Sequence, residues 1–474
     1  MPTSPPLETL APHPLISAGD PQSVILAPAV ALGFGAAALM WTTWFFTHIP
    51  WVQIPNALQL GLVLLVWFLS LAVGCRWVDR RRAIPVGAAA GTVTSIVSLL
   101  LLGALLNSDD GGEKPAAAII VAGFLALGAV IGTLAGGCAR VLGEGGRELD
   151  WRSMFAKVIV AWAAPLLFVG GLVTSTNSGM AVPDWPTTFE ANMFLYPLGS
   201  APTNVFLEHS HRLFGFMLGL TALINLVWTL RSETRRDLKW WALGIGLAIL
   251  SQAVLGGLRV RLGNADAAAD NRWWSMVHGV SAQLIFALIV AFAVKVSPTY
   301  KFAPPDPSAA GVFRLRLFAT AALHATFLQM IFGAMYRHTR STHSLWAHAA
   351  FAILVVIFTV LAGFLAVGQR SQIDSSSPAL ARLKRLVAMG GNWQLAVVAF
   401  QFAIGWVIFA VGSKELTAAS IGEALLRTSH QANGALLVAV STLIYVCARR
   451  LAPRADTAEG LRTTPNVAQL TQSK

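Results

Sequence analysis

The chain has 474 residues, of which 55% are hydrophobic and 12% charged, with a formal net charge of +12. A soluble domain carries about 25% charged residues, and the apolar residues here fall in runs of about 20, the length that crosses a bilayer as a helix. This composition excludes a soluble globular protein, and the lack of a two-residue alternation excludes a transmembrane barrel. The basic residues stand in short loops beside the apolar runs, so the charge indicates topology, and no nucleic-acid partner is expected.

Twelve apolar runs predict an all-α integral membrane protein with twelve membrane-spanning helices, because a single helix satisfies its own backbone polar groups in lipid. Polar segments at both ends, residues 1–22 and 453–474, are predicted to be disordered tails. The predicted spans are 24–47, 57–75, 84–106, 116–137, 155–174, 206–230, 239–258, 276–296, 313–334, 345–367, 392–412 and 430–449.

Charges in the loops orient these helices. Arginines follow each even-numbered span, for example Arg76 and Arg80 after the second, whereas the long loop 175–205 contains no lysine or arginine. The positive-inside rule then places both termini in the cytoplasm and the loops after odd-numbered helices on the outer side. We predict a multi-pass protein of a bacterial-type inner membrane.

The last eight predicted helices form an internal repeat. Helix five ends FVGGLVTST and helix nine ends MIFGAMYRHT, while helix seven contains QAVLGGLRV and helix eleven QFAIGWVIF. Each of the latter two precedes an outer loop and a helix that opens with histidine, VHGVSAQL or SHQANGAL. Internal repeats in membrane proteins often place sites at the repeat interface. The predicted regions are an N-terminal four-helix region of unknown role, 23–150, and two four-helix units, 151–300 and 301–452.

Four histidines occupy equivalent places in the repeat. His211, His278, His348 and His430 open helices six, eight, ten and twelve, all near the outer side. Ionisable residues in membrane spans are costly and usually functional, and two histidines on facing helices of a bundle can supply both axial ligands of a haem iron. The pattern predicts two haem sites, one formed by His211 with His278 and the other by His348 with His430. A zinc site is less expected, because no cysteine or carboxylate cluster accompanies either pair.

The segment EHSHR, 208–212, distinguishes the first site from the second. Glu208 and His211 are three residues apart and therefore share a helix face, whereas the second unit reads LWAHAA around His348 and has no matching glutamate. Glu208 is the candidate catalytic residue, although a solvated carboxylate or a pair with Arg212 would explain it equally well. The difference predicts one site for reaction and one for electron supply.

Several arginines on the outer side are candidates for binding haem propionates, because a guanidinium binds carboxylates in a bidentate manner. Arg337 and Arg212 are the main candidates, with Arg259, Arg261 and Arg340 as further ones. The long loop 175–205, which contains NSGMAVPDWPTT, can form a lid over the first site.

Taken together, the motifs in residues 155–450 resemble the haem A synthase family. The resemblance rests on GGLVTSTNSGMAVPDWPTT, EHSHR, QAVLGGLRV, LQMIFGAMYRHT and RTSHQANGALL, which occur in the family's order. It implies oxidation of the C8 methyl of haem O to a formyl group through hydroxylation, with molecular oxygen as the oxidant and an external electron donor. It also implies that His211 and His278 bind the substrate haem O, that His348 and His430 bind a haem b cofactor, and that Glu208 acts in catalysis. Haem O synthase or oxidase assembly proteins are further expected partners, beside the lipid bilayer.

Two features depart from the family pattern. Many bacterial members carry a cysteine pair in the first outer loop, and loop 175–205 has none. The four N-terminal helices also lie outside the family core. Two other functions remain open from the residues alone: a di-haem electron carrier of the cytochrome b type, which would leave Glu208 without a role, and a transporter, which would leave the matched histidines unexplained.

Overall fold

A computed structural model describes residues 21–102, 117–142, 149–262, 268–306, 309–372, 377–413 and 415–452. Within these ranges twelve helices are long and apolar enough to cross a membrane, which confirms the predicted all-α membrane fold. The helices are α1 Pro21–His48, α2 Asn56–Cys75, α3 Ala83–Leu102, α4 Ala117–Leu142, α5 Trp151–Ser175, α6 Thr203–Ser232, α7 Arg236–Leu262, α8 Ala268–Val296, α9 Ala309–Thr339, α10 Thr342–Gly368, α11 Pro378–Val411 and α12 Ile421–Leu451.

The predicted tails fall almost wholly on residues 1–20 and 453–474, which lie outside the described ranges. Helix α1 begins at Pro21, so the first predicted tail, 1–22, overlaps it by two residues. Two further starts were predicted too late. Helix α11 begins at Pro378 and α12 at Ile421, since both helices continue past the apolar run into charged turns that a hydropathy pattern does not register.

Helices α5 to α12 pack as two rings of four. In the first ring α5 contacts α6 and α8, and α7 joins α6 to α8; in the second, α9 contacts α10 and α12, and α11 joins α10 to α12. The rings meet where α12 contacts α5 and α8, and where α9 contacts α8. One histidine-bearing helix of each ring, α8 in the first and α12 in the second, thus lies at the interface between the rings.

The N-terminal helices pack against the first ring through α1. Phe45 stacks on Phe206 of α6 with ring centroids 5.7 Å apart and meets Phe214 edge-on at 6.0 Å. About three turns earlier along α1, Phe34 meets Phe155 of α5 with ring centroids 5.6 Å apart. Such aromatic pairs add about 0.5–1.5 kcal/mol each beyond their buried area, so this region is fastened to the histidine-bearing core.

Helices α3 and α4 touch along a line of glycines. A Cβ atom on Gly91 would overlap the carbonyl oxygen of Gly128, and one on Gly87 would overlap that of Gly132. Small residues at four-residue spacing let helix backbones approach closely in a membrane, where packing rather than the hydrophobic effect drives association. No role was predicted for these helices from the sequence, and the glycine contacts show how α3 and α4 associate.

A buried ion-pair cluster closes the first ring at the end remote from the histidines. Glu233, just after α6, accepts from Arg152 of α5 and from Arg235, whose guanidinium also donates to the Lys295 carbonyl at the end of α8. Burial opposes ionisation of Glu233, but hydrogen bonds from Arg235 and Arg152 outweigh it and lower the pKa of this carboxyl from 4.5 to about 2. The cluster joins three helices of the first ring.

Glu233→Gln is expected to lower the thermal midpoint of the detergent-solubilised protein at neutral pH and to flatten its dependence on acid. Because the folded pKa is depressed, the stabilisation by the carboxylate is present above the unfolded value of 4.5 and is lost as the pH falls toward about 2. The thermal midpoint, measured at intervals across that window, should fall more steeply for the wild type than for the variant. Glu190→Gln, in an exposed loop, serves as the control, and equal slopes for the wild type and Glu233→Gln would contradict the prediction.

Candidate haem-binding sites

The structure brings the four predicted histidines together in two pairs. The ring centroids of His211 and His278 are 6.4 Å apart with planes at 74°, and those of His348 and His430 are 6.2 Å apart, also at 74°. The two pairs were predicted from sequence position alone. Their separations and ring angles agree closely, as the internal repeat requires.

Each histidine lies about two to three turns inside its helix, so the expectation that they open the helices was wrong. Helix α12, for example, begins at Ile421 and reaches His430 only after a polar stretch, and α6 begins at Thr203 ahead of His211. In α6 and α12 the turns before the histidine carry charged residues that bind the neighbouring loops. The histidine pairs are therefore deeper than the helix ends and are covered by these contacts.

Glu208 and Arg212 bind the loop 175–205, between α5 and α6. Their carboxylate and guanidinium form an ion pair at 2.7 Å between side chains that are only 5% and 9% exposed. Glu208 also accepts from the Val182 amide at 2.9 Å, and Arg212 donates to the carbonyl oxygens of Val182, Asp184 and Thr187. The alternative in which Glu208 pairs with Arg212 is thus what the structure shows, in a buried setting beside His211 rather than in solvent. The role of Arg212 toward propionate stays a prediction, because its donors here are directed to the loop.

The loop itself lies over α7. Trp185 packs on Gly257, where any Cβ would overlap the indole ring, and its carbonyl accepts from Nε of Arg261 at 3.1 Å. Within the loop, Asp184 accepts from the amides of Phe189 and Glu190, both at 2.8 Å. Burial opposes ionisation of Asp184, but hydrogen bonds from the Thr187 side chain and these amides outweigh it and lower the pKa of its carboxyl. The loop is held by these hydrogen bonds against α7, and its role as a lid over the first site stays a prediction.

A similar ion pair, the Glu423–Arg427 clamp, binds the loop between α11 and α12. Glu423 accepts from the amides of Ser413 and Ala419. Arg427 pairs with Glu423 and donates to the carbonyls of Ser413 and Leu416. These residues were not predicted from the sequence. Their Glu-x-x-x-Arg spacing repeats that of Glu208 and Arg212, and this shared spacing is the signal that would have found them.

Arg337 and Arg340, at the C-terminal end of α9, have hydrogen-bond donors without partners. Nη1 of Arg337 donates to the Leu416 carbonyl at 3.2 Å, but its Nη2 is buried without a hydrogen-bond partner in the described part of the chain. The same holds for Nε and Nη2 of Arg340. The Arg340 guanidinium lies 5.1 Å from the Tyr336 ring. Buried guanidinium donors without partners are unusual, and a carboxylate is the group that would satisfy them.

Two further histidines lie outside the pairs. His209 is buried, its Nδ1 lies 3.1 Å from the Thr188 hydroxyl, and its ring lies 5.1 Å from that of Tyr196. It belongs to the packing of the loop. His324, in the middle of α9, bonds through Nδ1 to the carbonyl of Thr320.

The residues present fit haem. Two metal–nitrogen bonds of about 2.0 Å on opposite sides of one ion place imidazole centroids roughly 6 Å apart, which both pairs match. The Nδ1 atoms of His211 and His278 are buried and have no hydrogen-bond partner within the described ranges. Arg337 and Arg340, which have donors for a carboxylate, follow Gly333, the residue that contacts His348, by one to two turns of α9. Neither pair has a third histidine, cysteine or carboxylate arranged with it as a metal ligand in the described structure.

Comparison with known proteins decides between the classes that this geometry allows. Residues 153–348 match the model of the COX15-CtaA family, described as cytochrome oxidase assembly protein. This segment is therefore similar to the COX15-CtaA family. The match runs from the start of α5 to His348 and contains Glu208, His211 and His278, so the transporter alternative loses its support.

Individual relatives agree with the family match. The chain is 28% identical over 225 residues to the haem A synthase of Rhodopseudomonas palustris strain BisA53, covering 41% of this chain and 59% of the relative. It is 29% identical over 201 residues to that of Lysinibacillus sphaericus, covering 41% and 60%. The similarity to the haem A synthase of Bradyrhizobium diazoefficiens is 24% over 380 residues, covering 66% and 94%. The chain thus spans about three fifths of the first two relatives and nearly all of the third. No solved structure matches it.

Proposed function

We propose that this protein is a haem A synthase, an oxidoreductase that converts the C8 methyl of haem O into a formyl group through hydroxylation, for cytochrome oxidase biogenesis. The observation that carries the proposal is the pairing of His211 with His278 beside the buried carboxylate of Glu208, inside the segment that matches the family model. A di-haem electron carrier needs the two histidine pairs but has no use for a carboxylate one turn from a histidine in only one of them; Glu423, in the second unit, is seven residues before His430.

In the first unit, 151–300, His211 and His278 hold the substrate haem O. Glu208 lies on the same face of α6 as His211, under the loop that it and Arg212 fasten. A carboxylate held there, shielded from water, stabilises positive charge that develops on the substrate and transfers protons during oxidation. The loop excludes bulk water from the reacting methyl group.

In the second unit, 301–452, His348 and His430 hold haem b, with Arg337 and Arg340 donating to its propionates. Haem b supplies electron transfer between an external donor and the first site. Insertion of one oxygen atom from molecular oxygen leaves the other to be reduced to water, so hydroxylation consumes electrons and protons. No carboxylate stands three residues before His348 or His430, as Glu208 does before His211, which agrees with a role of this unit in electron supply alone.

The multi-pass chain is placed in a bacterial-type inner membrane with both termini cytoplasmic, because the arginine-rich loops follow the even-numbered helices. The haem sites then lie toward the outer face, and the Glu233 cluster lies toward the cytoplasm. The proposed partners are the lipid bilayer, an electron donor, and haem O synthase or oxidase assembly proteins that deliver haem O or receive the product. The N-terminal region 23–150 is assigned no part in the reaction.

The proposal predicts that the protein makes haem A. The test is coexpression with a haem O synthase and a competent electron donor in a host that lacks haem A, followed by extraction of the haems and identification by mass. Haem A or hydroxylated haem O is expected from the wild type, and only haem O from His211→Ala. Unmodified haem O together with an intact reduced cytochrome spectrum from the wild type would overturn the synthase in favour of the electron carrier.

A further inference from the structure

Every one of the four histidines lies against a glycine of the preceding helix. A methyl group placed on Gly170 of α5 would lie 3.0 Å from Cε1 of His211, and one on Gly333 of α9 would lie 2.8 Å from Cε1 of His348. The corresponding distances are 3.5 Å for Gly256 and His278, and 3.3 Å for Gly405 and His430. The same atom of each ring thus faces the same kind of residue.

These contacts leave no spare room at three of the four positions, Gly170, Gly333 and Gly405. Separations below about 3.0 Å are not seen for real Cβ atoms, and values up to 3.4 Å require the neighbour to move. Any side chain at Gly333 must therefore displace the His348 ring, while Gly256 would admit a methyl group in ordinary contact. The glycines allow each imidazole to lie directly on the backbone of the neighbouring helix.

Three of these glycines follow a glutamine by four residues, one helical turn. Gln401, one turn before Gly405, has its amide nitrogen 3.3 and 3.2 Å from the two ring nitrogens of His430, and its oxygen accepts from Asn433 at 2.8 Å. The amide thus bonds to the ring itself and is held in turn by a residue one turn beyond His430.

The other two glutamines bond close to their histidines. The side-chain amide of Gln329, before Gly333, donates to the backbone carbonyl of His348 at 2.8 Å. The backbone carbonyl of Gln329 lies 3.2 Å from His348 Nδ1. Gln252, before Gly256, donates at 2.7 Å to Ser281, one turn after His278. The fourth glycine, Gly170, has Leu166 in the place of the glutamine.

We propose that each glycine, with its glutamine where present, is a positioning element that fixes the imidazole of a haem ligand. The glycine sets how far the ring lies from the neighbouring helix, and the glutamine fastens the two helices at that level or bonds the ring directly. This inference rests on the proposed function, because it takes the four histidines as haem ligands. Groups that orient a ligating histidine change metal affinity by about 10–100-fold when removed.

The pattern separates the four ligands into two kinds. His278, His348 and His430 have a glutamine at their level, and His211 does not. The histidine without one belongs to the pair assigned to haem O, the haem that must enter and leave as substrate and product. The pair assigned to the retained haem has a glutamine for both of its ligands.

The test uses the holoprotein purified with its haems. Gly333→Ala is expected to accelerate the loss of the second haem to apomyoglobin by about 10-fold or more and to shift the low-spin electron paramagnetic resonance signal of that haem, with the first haem unchanged. Gly279→Ala is the matched control, because Gly279 follows His278 directly yet has open space around it. Wild-type values for both variants would overturn the inference.

A second variant covers the case in which Gly333→Ala does not fold. Gln401→Met keeps the side-chain length and removes the bond to His430, so the resonance signal and midpoint potential of the second haem are expected to shift while the haem stays bound. An unchanged signal and potential would overturn the role of the glutamine. A wild-type protein that purifies without haem would instead refute the proposed function, and the inference with it.

Discussion

Replacing Glu208 by glutamine is expected to lower the yield of haem A and its hydroxylated precursor by about 100-fold or more while both haems stay bound. Glutamine keeps the shape of the side chain and an oxygen that can accept from the Val182 amide, but it removes the negative charge. Proton transfer and stabilisation of positive charge on the substrate both require that charge. The measurements are haem identification by mass and the reduced absorbance spectrum of the purified protein.

Arg212→Gln is the matched control for Glu208→Gln. It breaks the same ion pair and also removes the donors to the loop carbonyls of Val182, Asp184 and Thr187, yet it leaves the carboxylate in place. If Glu208 acts only by holding the loop, Arg212→Gln should be the more damaging change, and Glu208→Gln should retain most of the activity. That order of effects would contradict a chemical role for the carboxylate.

Substituting leucine for Gly91 is expected to produce the largest structural effect outside the histidine sites. A side chain there would overlap the Gly128 carbonyl of α4, and backbone atoms cannot move aside as a flexible side chain can. Inserting atoms into a packed interface costs about 1–3 kcal/mol or more, and in a membrane this close contact is itself the driving force for association. The thermal midpoint of the purified protein should fall.

Gly123→Leu provides the control, since Gly123 lies on α4, the helix that Gly91 of α3 contacts, but has open space around it. Haem content measured on both variants then shows whether α1 to α4 support the haem-binding core. A Gly91→Leu protein with lowered stability and full haem content would mean that the N-terminal helices fold independently of that core. Equal stability of the two variants would contradict the role assigned to the glycine contact.

The histidine pairs could be predicted from the sequence because the repeat places each histidine at the same point of a helix. A hydropathy pattern and the repeat together are enough to find which helices face one another. The Glu423–Arg427 clamp could not be found in that way, because its residues precede the apolar run that marked the start of α12. Helices that extend beyond the apolar core carry polar turns, and a hydropathy pattern ends too early there.

The partners of Arg212 were also beyond the sequence. Its guanidinium binds three carbonyl groups of a loop with little regular secondary structure, and no periodicity indicates how such a loop folds. The same limit applies to Arg337, whose bonded donor depends on where the Leu416 carbonyl lies. The glycines are present in the repeated motifs, but which of them contacts a histidine depends on how the helices pack against one another.

Helix α5 presents neighbouring glycines to the two halves of the molecule. Gly170 lies against His211, while a methyl group on Gly171 would lie 2.9 Å from Cγ2 of Thr428, two residues before His430. Helix α5 therefore lies between His211 and the part of α12 that carries His430, and a helix is only about 10 Å thick. In the proposed function an electron would pass from the second haem to the first across this one helix, and a shift of α5 would change the surroundings of both histidines.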